Sequence, residues 1–215
     1  TGTSPNTPLG TITGATTVNS GATLDLNGYT LATAEGLTIS GTGLSSAGAL
    51  TNSSATAATY SGLLVLGDHA TIKASSGNIL LTNTGTITGS GKNLTLDGTA
   101  TGSSLASIIG TGAGTLTKNS SGTWTLSGAS TYTGSTTITG GTLSISADNN
   151  LGAAPGSATA GSITLSGGGE LLVTSGTLAT PITLSSNRGI ALSTGGGVLS
   201  SAATKYVSYS GIIAG

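Results

Sequence analysis

The sequence has no cysteine, no methionine and no phenylalanine, and only 5% of its 215 residues are charged. Without cysteine there is no disulfide staple, no zinc–thiolate centre and no thiol nucleophile, although secretion remains compatible with the composition. The five basic residues, Lys73, Lys92, Lys118, Arg188 and Lys205, are dispersed along the chain. Nucleic acid and anionic membranes are bound by a clustered basic face, so neither is an expected partner. No apolar run approaches the ~18 residues of a membrane-spanning helix, and no membrane insertion is expected of this segment. Helix formers are equally scarce. Glutamine is absent and the only glutamates are Glu35 and Glu170, so the ordered form is expected to be almost entirely β.

What is present is glycine, threonine and serine, which together make up half of the chain. Such a chain borders on a low-complexity linker. Two features argue for order. The net charge of −1 supplies no self-repulsion, and apolar residues alternate with Thr or Ser at the period of a half-buried strand. The alternation predicts strands at Thr23–Leu26, Leu37–Ile39, Asn78–Leu81, Asn93–Leu96, Thr123–Leu126, Thr142–Ile145, Ser162–Leu165, Pro181–Leu184 and Gly189–Leu192. Turn signals lie between them, at Asn27-Gly28, Asp97-Gly98, Gly140-Gly141, Gly167-Gly168-Gly169 and Gly195-Gly196-Gly197.

Each strand offers only two or three core residues. A β-sandwich of this length would need larger side chains. A solenoid needs fewer, because every coil stacks on the next and a narrow aliphatic core runs the full length. The expected fold is therefore an all-β, right-handed parallel β-helix spanning residues 1–215, with Thr and Ser in outward hydrogen-bonded ladders and Gly at the corners. At ~20 residues per coil it would have about 10–11 coils and a length of roughly 50 Å. The small-residue stretch from Ala47 to Ala58 is expected to be a protruding loop or a weak coil.

Residues 108–152 carry a pattern of Gly112, Gly114, Leu116, Lys118, Trp124, Leu126, Gly128, Tyr132, Gly134, Thr137, Gly141 and Leu143, closing on Leu151-Gly152. It resembles the autotransporter-associated β-strand repeat of bacterial passenger regions and very large secreted surface proteins, with Trp124 where the family commonly has Leu. Weaker echoes occur at Thr16–Leu24 and Ser175–Leu178. The resemblance implies a β-helix, an extracellular or cell-surface location and a surface role, without implying one activity. The chain ends as another copy of the motif's opening begins, since Tyr209 to Gly215 echoes Leu105 to Gly110. The termini thus read as cut points in a repeating array or as the ends of subunits that stack head to tail. Tyr206, Tyr209, Ile212 and Ile213 are the candidate end-to-end interface.

Catalytic, cofactor and metal sites are not expected. His69 is the single histidine, beside Asp68 at what reads as a solvated corner, and no second histidine is available for a metal. The carboxylates Asp25, Glu35, Asp68, Asp97, Asp148 and Glu170 are spread over the chain, whereas β-helical enzymes acting on polysaccharides gather two or three on one face. Gly89-Ser90-Gly91-Lys92-Asn93 lacks the first glycine and the Ser/Thr of a phosphate loop and reads as a turn. The sequons at Asn52, Asn93 and Asn119 occur at chance frequency. Trp124 reads as core. The expected role is a structural module of an extracellular β-helical stalk or fibre whose partner is a second copy of itself. The alternative is an adhesin binding surface glycans, and a polysaccharide-acting enzyme comes after both.

Overall fold

Residues that alternate Leu or Ile with Thr or Ser have one wet and one dry face, and a strand of a few such residues is too short to stand alone. In the computed structural model, which describes residues 9–10 and 14–215, these strands stack into a parallel β-solenoid. Every strand pairing among the described residues is parallel.

Each turn has three faces. The long face runs from Leu24–Asp25 through Leu50–Asn52, the second half of Leu64–Ala74, Leu94–Gly98, Leu116–Lys118, Thr136–Ile138, Thr159–Leu165 and Arg188–Leu192 to Ile213–Ala214. The second face stacks eight strands, from Thr30–Leu31 through Ala58–Tyr60, Ile79–Leu81, Ser103–Leu105, Thr123–Leu126, Thr142–Ile145 and Gly169–Val173 to Gly197–Ser201. The third face is broken. Ala15–Val18, Gly36–Gly41, the first half of Leu64–Ala74, Thr86–Ile87 and Ile108–Ile109 form one part of it, and Ile182–Leu184 with Val207–Tyr209 form another.

The solenoid has about 8 turns, fewer than the sequence leads one to expect. At ~4.8 Å per turn it is roughly 40 Å long. The difference lies in the corners. Within the motif Thr125 stacks on Ser144, but near the start of the chain Thr30 stacks on Thr59, half as far again along the sequence. The motif contains the shortest rung, and excursions between faces lengthen most of the others. One supposed excursion is only partly one, since it protrudes at residues 53–57 alone. Within the stretch 47–58, Leu50–Asn52 is a buried strand of the long face, and Ala49 and Ala58 are fully buried. Small residues suit that rung because it sits where the long and third faces converge on the single strand Leu64–Ala74. Asp97-Gly98, read as a turn, instead completes the strand Leu94–Gly98.

The core consists of inward ladders in which one side chain sits on the next. Leu94, Leu116, Thr136, Ile163 and Ile190 form one, and Trp124, Leu143 and Leu171 another. Each buried Leu or Ile contributes about 1.5–3 kcal/mol relative to exposure. The outward counterpart on the long face is a rank of Thr71, Thr95, Thr117, Thr137 and Thr164 in register. These hydroxyls do not bond along the ladder. Among the side-chain bonds that tie rungs together, several come from corner hydroxyls, which reach backbone carbonyls of the adjacent turn. Thr23 donates to Gly48, Thr99 to Ser75, Ser107 to Asn83 and Thr174 to Ile145.

Candidate functional site

The motif residues identified in the sequence occupy consecutive rungs, and most of them face inward or lie at a corner. Leu116, Trp124, Tyr132 and Leu143 are fully buried, and Leu126 is 2% exposed. Trp124 stands between Ser103 and Leu143 on the second face, and its indole N–H donates to the Asp97 carbonyl at 3.1 Å. The bond satisfies the one polar atom that a larger side chain brings to this position. The Tyr132 hydroxyl lies 2.7 Å from the Thr136 hydroxyl, and burial pushes its pKa up to about 12.

The motif glycines mark places where one turn touches the backbone of the turn before it. A Cβ on Gly114 would overlap the carbonyl of Lys92, and one on Gly134 the carbonyl of Gly114. Gly128 sits likewise on Ser107, Gly141 on Gly122 and Gly152 on Tyr132. Gly112 is different: its surroundings are open, but its φ of +60° favours a residue without Cβ. Thr137 belongs to the outward threonine rank.

Two buried cations were not legible as such in the composition. Lys118 has no exposed surface, because it shares the inward parity of Leu116 and stands between Leu96 and Ile138. Its ammonium donates to the carbonyls of Asn119, Ser120 and Gly140 at 2.6, 2.8 and 3.1 Å, clasping two successive corners. Burial draws its pKa down to about 8, partly opposed by the charge of Asp97. Arg188, 2% exposed, shares the parity of buried Ile190. It pairs with Asp148 through Nε at 2.9 Å and Nη2 at 3.2 Å, and donates to the carbonyls of Leu151 and Gly152. It thereby anchors the short 3-10 helix Asp148–Leu151, whose Asn150 donates to the Gly128 carbonyl one turn away.

The remaining polar groups are dispersed. His69 lies at the exposed bend within Leu64–Ala74, and its Nδ1 accepts the Asn93 backbone N–H at 2.9 Å. Asp68 pairs with Lys92 at 3.1 Å, and its bond from the His69 N–H together with these contacts holds its carboxyl below the usual range. Asp97 faces Lys73 at 3.6 Å and accepts from Ser120. Asp25 accepts from the hydroxyl and N–H of Ser53, Glu35 from Thr16, and Glu170 from Thr142 and Ser200. Among the described residues, no three His, Asp or Glu side chains gather where they could hold a metal ion. Asn52, the first sequon, is fully buried, and its side chain bridges Gly28, Thr56 and Asn78. A cleft beside the long face is lined by Thr133–Ser135, Ala153–Gly156 and Thr159–Ser162, with no charged or aromatic side chain.

Residues 116–145 match the family model of the passenger-associated-transport-repeat. The segment is an autotransporter passenger-type repeat. No curated protein and no solved structure matches the chain. The passenger-type repeat begins at the strand Leu116–Lys118 and ends with Ile145, covering two strands of the long face and two of the second face. Its Lys118, Trp124 and Tyr132 are engaged in packing and internal hydrogen bonds. The candidate interface residues stand at the C-terminal end of the solenoid. Tyr206, Ile212 and Ile213 are 40%, 63% and 53% exposed, whereas Tyr209 is partly buried and its hydroxyl lies 2.6 Å from the Arg188 carbonyl.

Proposed function

We propose that the chain is a structural module of an extracellular bacterial β-helical stalk or fibre, displayed at or released from the cell surface. The passenger-type repeat and the β-solenoid support a passenger-like module. The observation that carries the structural role is where the chemistry of the repeat goes. Gly128, Gly134 and Gly141 sit on the backbone of the turn before, Lys118 clasps corner carbonyls, and Trp124 and Tyr132 are buried with internal hydrogen-bond partners. The module would work by continuity, with parallel backbone ladders along the axis, an aliphatic core and an almost uncharged outer surface. No catalytic role is assigned, since each carboxylate is engaged with its own neighbours at a separate place.

A second reading, an adhesin for surface glycans, rests on Tyr29. It is 62% exposed beside the Asn27-Gly28 turn and offers a ring on which a sugar could stack. The two readings separate in a glycan-array and cell-binding assay with the purified chain, run alongside Tyr29→Ala. The structural reading expects no saturable binding by either protein. Saturable binding that Tyr29→Ala abolishes would establish the adhesin instead.

A further inference from the structure

The threonine rank on the long face is the middle of a wider grid. On the consecutive strands Leu116–Lys118, Thr136–Ile138 and Thr159–Leu165 it contributes Thr117, Thr137 and Thr164, paired without a register shift. Two residues before these stand Thr115, Ser135 and Ser162, and two residues after them Asn119, Thr139 and Ser166. All nine positions are at least partly exposed, and eight of them carry a hydroxyl. The residues between them, Leu116, Lys118, Thr136, Ile138, Ile163 and Leu165, are buried and hold the grid from beneath.

Rungs repeat at ~4.8 Å, and alternate residues of one strand at roughly 6.6 Å, so the hydroxyls form a two-dimensional lattice. Among the described residues, the hydroxyls of Thr115, Thr117, Thr137 and Thr164 have no hydrogen-bond partner in the protein. Thr139 donates to Asn119 at 2.7 Å and ties the rear rank together across rungs. Ser135 and Ser162 also line the cleft, so the grid ends on that side. On the two preceding rungs the rear rank becomes Asp97 and Lys73, which pair with each other at 3.6 Å. The grid itself holds no charge, no aromatic ring and no large aliphatic side chain. A protein partner would need an apolar or arginine anchor, and a sugar chain a ring to stack on. What the grid offers is unpartnered hydroxyls at fixed spacing, on side chains stiff at χ1.

We propose that this grid binds the surface of ice. Its two repeats lie close to those between oxygen atoms along the two axes of a prism face of hexagonal ice, so each unpartnered hydroxyl can take the place of one lattice water. The contacts are individually weak, but a rigid grid makes them together and loses little side-chain freedom in doing so. Ice binding goes beyond the stalk reading and does not depend on it.

Partition of the purified chain into slowly growing ice, together with the shape of single ice crystals grown in its presence, tests it. The expected result is enrichment in the ice fraction over an unrelated protein of similar size, and faceted crystals. Thr137→Lys, at the centre of the grid, is expected to lower the partition roughly tenfold, because a long charged side chain holds the surrounding hydroxyls off the lattice. Thr117→Lys should do the same one rung away. Thr137→Val keeps the branched shape that suits a strand, removes only the hydroxyl and should lower the partition less. Thr125→Lys, on the second face, is expected to leave it unchanged. Circular dichroism and urea midpoints check the fold of each variant. Exclusion of the wild-type chain from ice, undiminished partition of the folded grid variants, or an equal loss in folded Thr125→Lys would each overturn the proposal. Retention on crystalline cellulose or chitin without entry into ice would overturn it in favour of a sugar lattice.

Discussion

Burying Lys118 has a consequence measurable by titration. The unfolded chain holds the lysine proton up to the ordinary pKa of 10.5, whereas the folded chain releases it near 8. Between those values the unfolded state binds more protons, so raising the pH shifts the equilibrium toward the folded state. The gain is roughly 1 kcal/mol by pH 9 and about 2–3 kcal/mol by pH 10. Above pH 10 the sign reverses. Tyr60 and Tyr132 are buried and resist ionisation, so the unfolded chain, whose tyrosines ionise near 10, is then favoured. Stability should therefore climb from pH 8, peak near pH 10 and fall beyond it. Equilibrium urea unfolding at half-unit pH steps measures this. The single tryptophan is a convenient reporter, because Trp124 bonds to the Asp97 carbonyl close to the Lys118 clasp. Lys118→Met removes the titrating group and should flatten the profile between pH 8 and 10. A flat wild-type profile in that window, or an undiminished slope in Lys118→Met, would refute the reasoning.

Three further outcomes are expected. Gly134→Ala forces a methyl into the Gly114 carbonyl and should cost about 1–3 kcal/mol or more, read by urea midpoint, while Gly156→Ala, with open space around it, should be nearly silent. Trp124→Ala should cost about 3–5 kcal/mol as a buried aromatic, and Trp124→Leu markedly less, since it restores an aliphatic ladder with Leu143; urea midpoints again measure both. Asp148→Ala leaves the Arg188 guanidinium buried without its carboxylate and should cost about 3–5 kcal/mol; hydrogen exchange should show the faster opening first around 148–153.

The faces of the solenoid were legible because alternation is a local property. Every strand anticipated from Thr23–Leu26 to Gly189–Leu192 has its counterpart. Trp124 as core was legible for the same reason, since it shares parity with Leu126. The parity rule also marked Lys118 with Leu116 and Arg188 with Ile190, but a cation at an inward position looks like an ordinary surface charge until its carbonyl partners are known. Some of those partners lie on other turns, as in the bond from Arg188 to the Gly152 carbonyl. The number of turns was not legible either. Corner length is set by how far each excursion departs from the axis, and a threonine-rich strand weakly specifies which neighbour it meets. The burial of Leu50–Asn52 depends on the convergence of two faces on one strand, a property of the assembled solenoid alone.

The glycines that sit on carbonyls also bear on how such a chain can change its length. Where Gly114 rests on Lys92 and Gly134 on Gly114, vertical spacing leaves no room for a side chain. The corners between faces, in contrast, accommodate turns as unequal as the one from Thr125 to Ser144 and the one from Thr30 to Thr59. Insertions are therefore expected to survive as loops at corners or as whole added rungs, because a rung inserted intact brings its own glycine seat and its own inward ladder. A single residue inserted within a strand would move every side chain beyond it to the opposite face. Growth by complete turns is thus the least disruptive route to a longer rod.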